Sequence, residues 1–439
     1  MSRWALHFYA LLMWLAQPFL RRKLARRSLQ EPGYGEAIEE RFGRYTQAAE
    51  TASTLVWVHA VSLGETRTAA ILLKALRTQY PGLRLLLTHG TATGRAEGRA
   101  LLRPGDLQVW QPWDSHAVVN RFFTHFKPRL GLLMETEIWP ITVAAAKKHG
   151  MPLVLVNGRL SEKSLQQALH MSPLSYPAYG ALAKVLAQTD DDAGRFRQLG
   201  VAPAGVLGNL KFDATPDAQQ QATGKAWRQA LGQSVLMFAS SREGEEVDFF
   251  KQISALRQQN RGPGAMDSVA LGFKVLVVPR HPQRFDEVQA LALQHGLSVS
   301  RRSSWTAGPL SNEHAMQADI WLGDSLGEMA LYYAMSDVAL LGGSFAPLGG
   351  QNLIEAAACA CPVVMGPHTF NFLEAAELAE AAGAALRVPD LQHGVQAALA
   401  LVSDRAIQAE VALKGLAFAD RNRGATAKTV AALAPFLQA

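Results

Sequence analysis

Short apolar runs alternate with helical patterns along nearly the whole chain, and that alternation excludes most folds. Residues 55–60, 83–89, 107–111, 130–134, 153–157 and 185–188 read as strands, with helical patterns such as 66–80 and 116–126 between them. A second series follows at 235–239, 274–278, 297–300, 319–322, 338–341, 363–365 and 384–388. Continuously apolar strands separated by helices are what a parallel sheet covered on both faces requires. Two such series predict two doubly wound α/β domains facing a cleft. Residues 208–216 (GNLKFDATP) lack periodicity and read as the linker, and 258–272 as a loop insertion in the second half. The expected domains are 28–212 and 213–403, followed by a helical, Ala-rich tail over 404–439 that packs back across the junction. Ligands of open α/β sheets bind beyond the carboxyl ends of strands, so the chemical residues are sought just after them.

The chain's 439 residues are too many for one ordinary domain, and 49% hydrophobic against 18% charged residues describe a core-rich folded protein. The first 27 residues stand apart. Residues 4–20 are apolar except for His7 and Gln17, and Arg21, Arg22, Lys23, Arg26 and Arg27 follow at once. A helix of that apolar length is about 26 Å long, just short of a full hydrocarbon core. It is expected either to span once or to lie in the interface of an anionic membrane surface, with the body of the protein on the cytoplasmic side. A core helix of a soluble domain is the alternative. No small-residue cleavage site follows, so a removed signal peptide is not expected. Taking those five from the 43 basic residues leaves 38 against 37 acidic ones, so the net +6 is a local feature. With no RNA-binding signature either, nucleic acid is not an expected partner.

In the first half, HAVSLGE (59–65) follows the first strand. Ser62 and Gly64 make a tight turn, and Glu65 opens the next helix. The dipole favours a carboxylate in a first turn, which reads as capping. It would equally keep Glu65 ionised, as a base that takes a proton from an attacking hydroxyl must be. METEIWP (134–140) places Glu135 and Glu137 after another strand. If the backbone stays extended, they point to opposite sides, so one faces the cleft and the other is structural, holding a basic side chain. NGRLSEKS (157–164) supplies Arg159 among hydroxyls and Lys163, a set that holds an anion or is simply a solvated loop. Ser62, Gly64 and Arg159 are the expected acceptor contacts. Lys211, in the linker, is expected at the cleft floor, where it can contact a leaving group.

In the second half, SSREGEE (240–246) follows a strand and opens a helix, which puts Ser241 and Arg242 at an anion-binding arrangement. Prolines on both sides hold Arg280 and His281 in a stiff turn after Pro279, suited to a fixed guanidinium on phosphate or a base edge. His281 is a ligand contact or is satisfied within the turn. Residues 338–367 read strand, glycine turn, helix over 352–360, strand. Amides of the glycine turn and the helix start form an anion site, and Asn352 and Glu355 share the exposed face of the first turn. Glu355 repels phosphate and suits a ribose. An ordinary capped connection is the plain alternative, but a second glycine–acid turn at 323–328 favours a nucleotide site. Cys359 and Cys361 fit neither a disulfide framework nor a zinc site and read as buried free thiols. Asp190, Asp191 and Asp192 read as a solvated helix cap, and no metal-ligand cluster emerges.

Taken in order, HAVSLGE, METEIWP, NGRLSEKS, GNLKFD, SSREGEE, PRHPQRF, GDSLGEM, GGSFAPLGGQNLIEAA and MGPHTFNF resemble the bacterial Kdo transferase family of lipopolysaccharide synthesis. The resemblance covers nearly the whole chain, including the N-terminal apolar segment. It implies a GT-B fold, two Rossmann-like domains. It also implies inverting transfer of Kdo, an eight-carbon acidic sugar, from CMP-Kdo to the lipid A precursor lipid IVA at the cytoplasmic face of the inner membrane. By that similarity Glu65 is the general base, with Glu135 and Lys211 assisting the transition state. Pro279 and Arg280, Leu326, Gly327 and Glu328, and Asn352, Leu353, Ile354 and Glu355 would hold the CMP. The family usually carries His and Pro where this chain has Gln351 and Ala356, which alters the contact expected at Gln351. Inverting transfer needs an aligned base and a stabilised leaving phosphate, and Arg242, Arg280 and Lys211 are the cations available. No metal or cofactor is expected. The rival readings are a transferase using a UDP-sugar, a sugar-nucleotide epimerase on the same fold, and a tethered nucleotide-binding protein without catalysis.

Overall fold

In a computed structural model, residues 3–52, 54–259 and 272–438 are described. Most of the expected 258–272 loop, residues 260–271, lies outside them. The chain divides into two compact units, Met1–Asp213 with Asn422–Ala439, and Ala214–Arg421.

The first unit contains strands β1 (Leu55–His59), β2 (Arg84–His89), β3 (Leu107–Trp110), β4 (Leu130–Met134), β5 (Leu153–Gly158), β6 (Lys184–Ala187) and β7 (Gly205–Val206). They form one sheet in the order β3-β2-β1-β4-β5-β6-β7, parallel throughout. Its helices are α1 (Arg3–Gln30), α2 (Leu63–Gln79), α3 (Ala92–Arg99), α4 (His116–Phe126), α5 (Pro140–Lys148), α6 (Glu162–His170), α7 (Ser172–Tyr179) and α8 (Asp190–Gln198). Both faces of the sheet are covered. Trp57, Leu133 and Leu155 pack with Phe122, Phe126 and Phe196 on one side, and Val56, Val58 and Leu132 with Leu72, Leu76 and Leu433 on the other. This is why β1, β4 and β5 read as continuous apolar runs.

The second unit repeats the plan with β8 (Ser234–Ser241), β9 (Phe273–Pro279), β10 (Val299–Arg301), β11 (Ile320–Leu322), β12 (Val338–Leu341), β13 (Val363–Met365) and β14 (Ala385–Arg387). The order is β10-β11-β9-β8-β12-β13-β14, again all parallel. Before, between and after them run α9 (Ala218–Leu231), α10 (Glu245–Gln259), α11 (Phe285–Gln294), α12 (Glu313–Gln317), α13 (Met329–Met335), α14 (Ile354–Ala358), α15 (Leu373–Ala381), α16 (Leu391–Ser403) and α17 (Arg405–Arg421). In each unit the strand order reverses at the first strand, between β1 and β4 and between β8 and β12. Such a reversal leaves a crevice beyond the strand ends.

The residues expected to form one tail are shared. Helix α17 belongs to the second unit, whereas α18 (Ala425–Leu437) belongs to the first. The apolar side of α18, with Ala425, Val430, Leu433 and Leu437, lies in the same core as β1, β2 and β4. Its start is capped from the linker. The Asp213 carboxylate accepts the Gly424 amide at 2.6 Å and the Thr426 amide. The linker itself is a short 3₁₀ turn, Leu210–Asp213, with Leu210 and Phe212 buried.

The N-terminal segment is one helix through Gln30, and it lies along the first unit instead of standing free. Leu6, Tyr9 and Ala10 pack on the core, Leu24 is buried, and Trp113 Nε1 donates to the Met13 carbonyl at 2.7 Å. Arg21 pairs with Glu39 and covers the Phe42 ring, and Arg27 covers Tyr34. Among the described residues no helix is long and apolar enough to cross a membrane. The spanning alternative for residues 4–20 is therefore withdrawn: a helix with one side fixed to its own domain and basic groups along its second half cannot be surrounded by hydrocarbon.

The Asp213 cap gives a stability prediction. Asp213→Ala leaves two amides of α18 without an acceptor and should lower the stability of the first unit by about 1–2 kcal/mol. Urea unfolding followed by the tryptophans of that unit checks this.

Candidate active and nucleotide sites

In the first unit the loops after β1 and β4, at the strand-order reversal, carry the chemistry. Ser62 caps α2: its hydroxyl accepts the Glu65 amide at 3.3 Å and donates to the Glu65 carboxylate at 2.9 Å. The other carboxylate oxygen accepts the Val61 amide at 2.9 Å. This resembles a capping box, except that the carboxylate reaches the amide of the residue before the cap. The turn is fixed from the neighbouring strand as well. The Val61 carbonyl accepts the amides of Gly90 and Thr91 and the Thr91 hydroxyl, at 3.0–3.1 Å. A side chain at Gly94 would come within 3.0 Å of that carbonyl, so α3 approaches because this position is glycine. Gly64 is exposed at the mouth of the turn. Sequence reasoning did not single out His89-Gly90-Thr91, since these residues brace the site and only their place after β2 hints at it.

Beneath the turn, His89 Nδ1 lies 2.9 Å from the Ala60 carbonyl, and His59 Nδ1 lies 2.8 Å from the Thr88 hydroxyl. Burial lowers both rings, to about 4 and about 3, so they are neutral and add no charge below Glu65.

Glu65 departs from its expected ionisation. Burial pushes its carboxyl up to about 7; the bonds from Val61 and Ser62 oppose the shift, and the charges of Glu135 and Glu137 reinforce it. Desolvation outweighs the helix dipole and the cap, so Glu65 titrates in the neutral range where a general base works best.

The second carboxylate loop also differs from expectation. β4 ends at Met134, and Glu135 takes a left-handed backbone, φ +57°. Extended alternation therefore fails, and both Glu135 and Glu137 act electrostatically on Glu65. Glu135 accepts from Lys211 Nζ at 3.0 Å, which is the basic partner foreseen for one of the two. Glu137 accepts Trp139 Nε1 at 3.0 Å, and burial raises its pKa. Lys211 is held by its own motif and by NGRLSEKS. The Asn157 side chain, on a left-handed residue, accepts the Leu210 amide at 2.9 Å, and Asn209 accepts the Lys211 amide. Arg159 is half-buried beside this loop, with its amide directed at the Glu135 carbonyl.

In the second unit the loops after β8, β9 and β12 meet at the equivalent position. Ser240 is left-handed, φ +53°, and a side chain at Gly342 would lie 2.4 Å from its carbonyl, which requires glycine there. Two expected anion sites are already filled by the protein's own acids. Glu245, buried at the start of α10, accepts the amides of Arg242 at 3.0 Å, Gly343 at 2.8 Å, Phe345 at 3.2 Å and Ala346 at 3.1 Å. The α10 start and the first part of the glycine turn are thus clamped to each other and closed to an external anion. Ser241 is fully buried and donates to Glu246, which Arg284 grips at 2.7 Å. Its hydroxyl therefore supports the loop from within, as does the buried Arg284, a role that PRHPQRF does not advertise.

The remaining groups lie around this clamp. Arg242 is paired with Glu243 at 3.1 Å. Arg280 extends from the stiff turn, its amide bonded to the Ser241 carbonyl, and His281 titrates low because it is partly buried and faces Arg242 and Arg280. Pro279 is buried at the end of β9. The 323–328 turn is built around Glu328, which accepts from Arg302 at 2.9 Å and from Ser325. That places Gly327 (φ +78°) and Leu326, 74% exposed, at the tip. Helix α14 is shorter than the expected 352–360. Asn352, just before it, accepts the Ile354 amide at 3.0 Å, Leu353 and Ile354 have their side chains in the core, and Glu355 is half-exposed. Only the backbone of Leu353 and Ile354 is therefore left to contact a ligand. MGPHTFNF braces the glycine turn through the His368 amide on Ser344 and the Asn371 amide on Gly349. Cys359 and Cys361 are buried free thiols, and burial raises the first to about 12. Among the described residues no group of three or more His, Cys, Asp or Glu is gathered as metal ligands.

Comparison with known proteins agrees with this construction. The family described as 3-Deoxy-D-manno-octulosonic-acid transferase (kdotransferase) matches residues 36–214. A solved UDP-GlcNAc 2-epimerase from Neisseria meningitidis, bound to UDP-GlcNAc, superposes with a TM-score of 0.54 at 14% identity, over 87% of this chain and 100% of that one. At that identity the likeness concerns fold alone, two parallel-sheet α/β units of GT-B-like type. A 3-deoxy-D-manno-octulosonic acid transferase of Haemophilus influenzae is 28% identical over 438 residues, 98% of each chain. Its counterpart from Bordetella pertussis is 46% identical over 405 residues, 90% of this chain and 91% of that protein. With so much of its length shared with these relatives, the chain belongs to the 3-deoxy-D-manno-octulosonic acid (Kdo) transferase family.

Proposed function

We propose that this chain moves Kdo from CMP-Kdo to the phosphorylated lipid A precursor lipid IVA, with inversion at the transferred carbon. The enzyme is a glycosyltransferase of lipopolysaccharide biosynthesis, and the observation that carries the detailed reading is the desolvated Glu65 in its capped turn. Its carboxylate takes the proton of the acceptor hydroxyl as that oxygen attacks the anomeric carbon of Kdo. The bond from that carbon to the phosphate oxygen breaks, and CMP leaves with the electron pair. Lys211, held by Glu135, offsets that carboxylate's charge, which lets an anionic sugar approach. Ser62, Gly64 and Arg159 contact the acceptor.

On the second unit, Arg242 and Arg280 stabilise the leaving phosphate, the exposed 326–328 tip and the Asn352–Glu355 segment hold the nucleoside, and Glu355 accepts from the ribose. No metal or cofactor enters this scheme. The acceptor lives in a bilayer, and α1 is suited to lie on one. Trp4, Phe8, Leu11, Trp14, Leu15 and Phe19 are exposed on the side away from the core, and Arg22, Lys23 and Arg26 follow them. We assign this helix to the interface of the inner membrane's cytoplasmic face, with its cations on anionic headgroups.

Incubation with CMP-Kdo and lipid IVA, with product masses counted per added sugar, tests the reaction, and competition by CMP against UDP tests the donor class. Glu65→Gln should lower kcat by roughly 10²–10⁴-fold while CMP affinity is unchanged; an unaffected turnover would remove Glu65 from the chemistry. Because the ionised carboxyl is the base, kcat/KM should rise with pH through a midpoint of about 7. Glu137→Gln removes a like charge and should move that midpoint to lower pH. A limb in the ordinary carboxylate range in the unaltered enzyme would contradict the desolvated base.

A further inference from the structure

METEIWP does more than supply the carboxylates. Its last residue, Pro140, opens α5, and α5, α7 and the first turns of α1 enclose a cavity of about 430 Å³ within the first unit. That volume lies in the usual range of ligand pockets, about 300–1,000 Å³. Leu6, Pro140, Leu174 and Pro177 make its walls apolar, its polar side chains are His7 and Lys147, and no carboxylate lines it. Lys147 is exposed at the C-terminal end of α5.

Three features determine what fits. The first wall, α1, exposes Phe8, Leu11 and Trp14, and His7, which lines the cavity, stands at i, i+4, i+7 spacing with the last two, so the cavity adjoins an apolar strip. The second wall begins at the residue after Trp139, whose indole holds Glu137 in the loop that carries Glu135. The polar residues are basic or neutral, which selects an anionic amphiphile over a neutral or cationic one. We propose that the cavity holds one acyl chain of the phosphorylated glycolipid acceptor, with Lys147 paired to an anionic group of that lipid. This rests on the lipid acceptor argued above. A sugar that rises from the bilayer to reach Glu65 drags chain into water, and each exposed methylene weakens that pose roughly 4-fold. An apolar cavity between the interfacial helix and the catalytic loop replaces the hydrocarbon that is lost.

The test compares two acceptors in detergent, the acylated precursor and the same bisphosphorylated disaccharide stripped of its acyl chains. Two variants of the full-length chain are used. Ala144→Phe fills the cavity from α5, and Lys147→Glu reverses the charge at its rim without touching the core. Ala144→Phe should raise KM for the acylated acceptor about 15-fold, the value of roughly two methylenes, and leave the deacylated acceptor and the KM for CMP-Kdo unchanged. Lys147→Glu should raise the same KM, and salt should abolish the difference. Equal losses on both acceptors, or no change on the acylated one in either variant, would overturn the proposal. Wild-type transfer to the deacylated acceptor with the KM of the acylated one would overturn it too while leaving the transferase reading intact. Transfer to neither acceptor would bring down that reading and this one with it.

Discussion

The first unit depends on keeping one carboxylate partly out of water without losing its position. Glu65 is costly to ionise where it lies, and the same capping bonds that hold its oxygens limit how far the cost runs. The Val61 carbonyl, locked by three donors, prevents the turn from opening to relieve the strain. The neutral His59 and His89 keep the ground beneath it free of charge. Of the two glutamates nearby, Glu135 is paired with a cation, Lys211, from a different segment. A carboxyl that titrates near neutrality is the product of these opposed terms, each of which is a local bond or a burial.

The second unit solves a different problem with similar means. A glycine turn that lets β8 and β12 approach closely leaves several amides pointing into one hollow, which is unstable when empty. Glu245 fills that hollow from the next helix, and the Arg284–Glu246 pair anchors the helix in turn. The result is a rigid floor from which Arg280, the 326–328 tip and Asn352 project. Rigidity of this kind suits the nucleotide site proposed above.

Much of this was legible because a strand buried on both faces must be apolar along its length, and because the reactive motifs all follow such strands. The two-residue edge strand β7 was invisible, since Gly205–Val206 pairs with one neighbour and carries no run. What stayed hidden were properties that no single segment holds. Nothing in METEIWP announces that a glutamate will take a left-handed backbone, yet that one residue decides where two carboxylates act. Glu245 and Glu246 look like solvated helix-start acids until the neighbouring strand brings amides and an arginine to them. The ionisation of Glu65 follows from the loops around it, which the order of residues alone does not display. Helix α1 read as a possible span because hydropathy counts residues without knowing which side is attached.

Placing α18 in the first unit has a consequence for how the protein is made. Its apolar side completes the core under β1, β2 and β4, and its start is fastened to Asp213, yet more than two hundred residues separate the two in the chain. On the ribosome the second unit, continuous from Ala214 to Arg421, emerges whole before the helix that closes the first. The earlier-born lobe must therefore wait, with one apolar face bare, until translation of the later one is finished. Its exposure to chaperones or proteases during that interval is set by elongation speed.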